Sequence, residues 1–138
     1  KEAPVEAWRT STGADVLFAA RVRAGGEEAV LVQAGRTLAL SRSGGRTLWR
    51  RDLLGVRQVV RIDDFDGDGR PEVLVFRGSR DVTPLALETG ETLWDWTSPP
   101  SSNNVLCRFL PTGSGLRLVT FPNYSTLGIC FDFSGNAR

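Results

Sequence analysis

Apolar residues along this chain fall in short runs, several alternating with polar positions, and each run is bounded by Gly, Pro, Asp or Ser. The runs are rich in β-branched and aromatic residues, the composition of strands rather than helices. Residues 17–22, 56–62 and 105–110 form one set. Ala29-Val30-Leu31-Val32, Glu72-Val73-Leu74-Val75 and Arg117-Leu118-Val119-Thr120 form a second. Residues 37–40, 83–87 and 127–131 form a third. Only residues 14–23 also fit a short helix, with Thr12 and Asp15 as a weak capping pair. Their register with the other members of the first set predicts a strand.

A fourth set is marked by tryptophan: Val5-Glu6-Ala7-Trp8-Arg9, Arg46-Thr47-Leu48-Trp49-Arg50 and Glu91-Thr92-Leu93-Trp94-Asp95. The four sets recur in register with a period of about 43 residues. A unit of that length holding four short strands is the signature of a β-propeller blade. The expected fold is all-β, a fragment of about three four-stranded propeller blades forming an open arc of an incomplete ring. Residues 1–10 would be the outer strand of a preceding blade, 14–52 one blade, 55–97 a second and 103–138 an incomplete one. The innermost two strands of the second blade are apolar on both faces, as strands covered on both sides must be. An open arc would expose a blade face at each end, so the remaining blades or other copies are expected to cover them. Trp8, Trp49 and Trp94, recurring at one blade position, read as core packing, with an aromatic ligand platform as the sharper alternative.

Composition narrows the function classes. The chain has 138 residues, enough for one modest domain, with a net charge of +1. A balanced charge without a basic stripe argues against nucleic acid, and no apolar run is long enough to span a membrane. There is no His, which removes the commonest general base and transition-metal ligand. There is no Met, so Lys1 is not a translation start and the chain is expected to be a processed product or an excised piece. Cys107 and Cys130 leave a disulfide open, since two cysteines carry no spacing signature. Neither has a neighbour that would activate a thiol.

Chemistry concentrates in one stretch, Asp63-Asp64-Phe65-Asp66-Gly67-Asp68-Gly69-Arg70-Pro71-Glu72, which holds five of the 16 acidic residues. Carboxylates at alternate positions followed by one more give the spacing D-x-D-x-D-G-x-x-E. Asp64, Asp66, Asp68 and Glu72 can supply side-chain oxygens and Arg70 a backbone carbonyl, with water completing the six to eight oxygens that Ca2+ prefers. Without a cation these carboxylates would repel one another; the competing reading is a solvated acidic turn. An EF-hand is excluded, because position 12 from Asp64 is Val75 and the flanks read as strands. The connectors at residues 24–28 and 111–115 lack the pattern, so one Ca2+ site is expected.

The stretch from Asp64 to Val75 resembles the FG-GAP/VCBS repeat of integrin α-like propellers. That resemblance implies calcium held by the hairpin loop between a blade's first two strands, here by Asp64, Asp66, Asp68, the Arg70 carbonyl and Glu72. The family more often has Asp at the last of these positions. Leu85-Ala86-Leu87-Glu88-Thr89-Gly90-Glu91-Thr92-Leu93-Trp94, echoed by residues 38–49, resembles the PQQ-like propeller repeat, where the motif is structural. Together these imply a non-catalytic, calcium-stabilised interaction module, extracellular or periplasmic, that binds a protein or glycan partner. The alternatives are part of a propeller enzyme, a quinoprotein-like dehydrogenase or polysaccharide lyase with its catalytic groups elsewhere, or a purely structural scaffold. Tyr124, the one tyrosine, lies in a turn-like stretch and is a poor candidate for a catalytic acid.

Overall fold

The computed structural model describes residues 12–53, 56–77, 81–97, 105–112, 115–122 and 129–132. Trp8, Tyr124 and the segments expected before residue 12 and after residue 132 lie outside them. The described residues are all-β and contain no helix. Among the described residues, eleven strands form three antiparallel sheets, each wound in sequence order.

The first sheet contains β1 (Val16–Ala24), β2 (Glu27–Ala34), β3 (Thr37–Arg42) and β4 (Thr47–Asp52) in the order β1-β2-β3-β4. Of residues 14–23, all from Val16 on are therefore strand, as register rather than local propensity predicts. The second contains β5 (Val56–Asp63), β6 (Glu72–Arg77), β7 (Asp81–Ala86) and β8 (Trp96–Thr97) in the order β5-β6-β7-β8. The third contains β9 (Val105–Thr112), β10 (Gly115–Pro122) and β11 (Ile129–Asp132), with β10 in the middle.

Period-two alternation decides which residues of the first sheet turn inward. Ala29 and Leu31 of β2 and Leu38 and Leu40 of β3 are buried. They pack against Val59, Val73, Val75, Leu85 and Leu87 of the second sheet to form the core. On the opposite face of the second sheet, Leu74 and Val82 are also fully buried. The unbroken apolar run Val73-Leu74-Val75-Phe76 thus serves a strand covered on both sides.

Hydrogen bonds also fasten the two sheets to each other. Gln33, fully buried, accepts the Val59 N–H through Oε1 at 3.1 Å. The Trp49 indole donates to the Leu87 carbonyl at 2.8 Å, and Arg51 Nη1 to the Gly90 carbonyl at 2.8 Å. Glu88 Oε1 accepts the Gly25 N–H at 2.7 Å, tying the β1–β2 turn to the β7–β8 connection. Trp49 is therefore a packing residue of the inter-sheet contact, half-buried against the core.

The outer strand of the second sheet departs from expectation. Regular pairing is confined to Asp81 and Val82 with Thr97 and Trp96, with one isolated bridge between Leu85 and Thr92. Trp94 lies between these two stretches. Pro84 explains the gap: its carbonyl accepts the Leu93 N–H at 3.0 Å, but it has no N–H to return. Between the two pairings, two residues on β7 then face three on the outer strand, and the ladder breaks.

In the third sheet, Cys107 pairs with Thr120 and Cys130 with Val119, on opposite sides of β10. Two inter-strand steps of about 4.8 Å separate β9 from β11, which exceeds the roughly 7 Å Cα limit for a bridge. The backbone register is thus incompatible with a Cys107–Cys130 disulfide.

Gly90 has φ +72°, and a Cβ there would lie 2.7 Å from Trp49 Cδ2. Gly44 also has positive φ but faces open space. Gly90→Ala should lower unfolding free energy by about 2–4 kcal/mol, combining strain with overpacking, and Gly44→Ala by only about 1 kcal/mol. Urea titration of the two variants measures the difference.

Candidate metal centre

The connection between β5 and β6 is short, and its two ends, Asp63 and Glu72, are directly paired across the ladder. The intervening chain must turn back within a few residues, and Gly67 and Gly69 adopt φ +79° and +86° to do so. The aspartates then shape the loop through their own side chains. Asp64 accepts the Gly67 N–H at 2.7 Å on Oδ1 and the Gly69 N–H at 2.9 Å on Oδ2. Asp66 Oδ1 accepts from Asp68 N at 3.0 Å, and Asp68 Oδ1 from Arg70 N at 2.7 Å. Such side-chain-to-backbone bonds are what Asp supplies in turns.

Phe65 anchors the loop from beneath. It is 1 % exposed, and its N–H donates to Glu72 Oε2 at 2.8 Å. The consequence is convergence: Asp64, Asp66, Asp68 and Glu72 each offer a carboxylate oxygen within 4.8 Å of the others. Four of the five residues expected from sequence are thus brought together by their side chains. Arg70 stands in the same loop with an exposed side chain and its amide on Asp68. Asp63, the fifth acidic residue of the stretch, faces a different partner: Arg61 Nε and Nη2 both donate to its Oδ2, at 2.9 and 2.6 Å.

Glu72 carries the electrostatic load of this arrangement. It is 5 % exposed, and its carboxyl is pushed up from 4.5 to about 7. Burial is the main cause; the Phe65 N–H partly offsets it, and repulsion from Asp66, Asp64 and Asp68 adds to it. A cation among the four would remove both the repulsion and the penalty on the buried charge. The donors are all hard oxygen, so the cluster suits Ca2+, Mg2+ or Mn2+ rather than a metal that selects nitrogen or sulfur. No other group of three or more potential ligands occurs among the described residues.

Two features of the site escape sequence reasoning. The anchoring by Phe65 had one signal, an aromatic residue inside an otherwise acidic loop. The burial of Glu72 had another, its place at the head of an apolar strand. Set against protein-family models, curated proteins and solved structures, the chain matches none.

The raised Glu72 pKa fixes a sign. Between about pH 4.5 and 7 the folded, metal-free protein holds a proton that the unfolded chain has released, so stability falls as pH rises through that window. Glu72→Gln keeps an acceptor for Phe65 N while removing the charge. In chelator at pH 8 this variant should be more stable than the parent by about 1–3 kcal/mol, and its loss of stability between pH 5 and 8 should be smaller. Denaturant unfolding at the two pH values tests both statements.

Proposed function

We propose that this chain is a non-catalytic β-propeller segment whose β5–β6 loop binds one Ca2+ and which serves as an extracellular or periplasmic interaction module for a protein or glycan partner. The convergence of Asp64, Asp66, Asp68 and Glu72 within 4.8 Å carries the metal part of this reading. The Arg70 carbonyl and water would complete an oxygen shell of the size that Ca2+ takes. Calcium sites in extracellular modules are typically filled at about 10⁻⁴–10⁻³ M, so an exposed loop of this kind suits a calcium-rich compartment.

Repetition supports the propeller part. The leucine-bearing face of one sheet, Leu31, Leu38 and Leu40, lies on the valine-bearing face of the next, Val73 and Val75. Sheets joined front to back can add further members without changing the contact, and such heterologous packing closes into a ring when the rotation allows. Trp49 reaching over Gly90 repeats in sequence at Trp8 and Trp94, consistent with one inter-sheet contact used again. The FG-GAP/VCBS and PQQ-like resemblances point the same way.

Binding to the folded state alone raises stability by mass action, about 2.7 kcal/mol at a hundredfold excess over Kd. For a chain of this size that is a rise in Tm on the order of 5–10 °C. Thermal melts in 10 mM CaCl2 should show this rise relative to chelator, and Asp64→Asn with Asp68→Asn should abolish it. Equal melting temperatures with and without calcium would refute the metal part of the reading.

A further inference from the structure

The acidic loop holds both Asp-Gly pairs of the chain, Asp66-Gly67 and Asp68-Gly69, and the sequence has no Asn-Gly. Glycine has no Cβ to shield its amide nitrogen, so an aspartate followed by glycine is the pair in which that nitrogen most readily attacks the side chain before it. Gly67, Asp68 and Gly69 are exposed, so water reaches both pairs. Yet the two amides that would attack are not free. Gly67 N donates to Asp64 Oδ1 at 2.7 Å and Gly69 N to Asp64 Oδ2 at 2.9 Å. One carboxylate thus holds the nucleophile of both pairs. We propose that Asp66 and Asp68 are sites of isoaspartate formation and that Asp64 is the guard that keeps both closed.

The reaction needs no partner but water. The Gly67 nitrogen attacks Cγ of Asp66; a C–N bond forms, a Cγ–O bond breaks, and the amide hydrogen and a solvent proton leave with that oxygen as water. The resulting succinimide takes water back at either carbonyl and releases one proton. Opening at the side-chain carbonyl restores aspartate. Opening at the backbone carbonyl leaves the chain running through Cβ and the carboxylate on Cα. Asp68 and Gly69 react in the same way.

Asp64 opposes the first step twice. Its bonds fix the plane of each peptide, so the nitrogen does not turn toward the preceding Cγ, and a negative oxygen beside the N–H disfavours loss of that hydrogen. The reacting carboxyls are held as well: Asp66 Oδ1 accepts from Asp68 N and Asp68 Oδ1 from Arg70 N, each one residue beyond the amide it would join. Reaction therefore waits on local opening of the loop. An isoaspartate adds one carbon to the backbone and removes one from the arm of the carboxylate, which takes that oxygen out of the group of four. A transient loss of the guard becomes a permanent loss of the cluster. These bonds exist without a bound ion, so the guard acts whether or not the loop takes Ca2+.

Incubation of the full chain in chelator at 37 °C and pH 7, followed by chromatography and electron-transfer fragmentation of tryptic peptide 62–77, measures both sites, because the isomers share a mass but not a backbone. Isoaspartate should form in the native chain at least tenfold more slowly than in the chain unfolded in urea, since hydrogen bonds to a charged group must break first. Asp64→Ala should raise the native rate at both Asp66 and Asp68 at least fivefold. Asp63→Ala is the control: Asp63 accepts from Arg61 and from Asp64 N, whereas both glycine amides are on Asp64, so its loss should leave both rates within twofold of the parent. A native rate equal to the unfolded one, no change in Asp64→Ala, or equal acceleration by the two variants would overturn the proposal. Should Asp64→Ala not fold, amide exchange in the parent decides: the Gly67 and Gly69 N–H groups should exchange at least tenfold more slowly than in the unfolded chain, and exchange at the unfolded rate would overturn it.

Discussion

Four carboxylates held within 4.8 Å of one another, one of them buried, constitute the constraint around which the second sheet is arranged. Unrelieved, that arrangement is unfavourable: burial and mutual repulsion both disfavour the Glu72 charge. The chain nevertheless holds the four in place with two other resources. One is the set of backbone N–H bonds from the loop to its own aspartates. The other is Phe65, whose burial secures the loop over the core and whose N–H meets Glu72. A loop shaped by acceptors in this way is arranged before any cation arrives, which lowers the ordering cost of binding one.

The core obeys a simpler rule. Leucines on one face of the first sheet meet valines on the facing side of the second, and buried side chains lie on both faces of the second sheet. Apolar contact of this kind is non-directional and would tolerate a slide of one sheet over the other. Directional bonds between the sheets remove that freedom. Gln33 to Val59, Trp49 to Leu87, Arg51 to Gly90 and Glu88 to Gly25 each cross from one sheet to the other. Gln33 is the most constrained of them, because losing it would leave a buried N–H without a partner.

Most strands were legible in the sequence because each carries its own pattern: alternation in β1, unbroken apolarity in β6, a tryptophan mark in β4. Residues 14–23 show the limit of local pattern, since only the repeat distinguishes strand from helix there. The outer strand of the second sheet was misplaced for a reason that lies in a different strand. Pro84 withholds one donor, and the effect appears at Trp94, ten residues later. The four side-chain ligands of the candidate centre were legible because ligand spacing within a loop is local. A cleft between β1 and β5 was not, because its lining residues come together only through the approach of two strands far apart in sequence. A cross-sheet bond such as Trp49 to Leu87 is silent for the same reason.

One chain of hydrogen bonds links the acidic loop to the inter-sheet contact. Pro71 closes the loop, and its carbonyl accepts the Leu87 N–H at 3.0 Å. The Leu87 carbonyl in turn accepts the Trp49 indole N–H. The loop is thus one bond from the β7–β8 connection and two from the first sheet. Repulsion that opened the loop would pull on Pro71 first, and through Leu87 on the tryptophan that covers Gly90. A cation that holds the loop closed would act in the opposite sense, stiffening the contact between sheets without touching it. The same Pro71 and Leu87 border the cleft between β1 and β5, so the acidic loop, the sheet contact and the cleft meet at one backbone hydrogen bond.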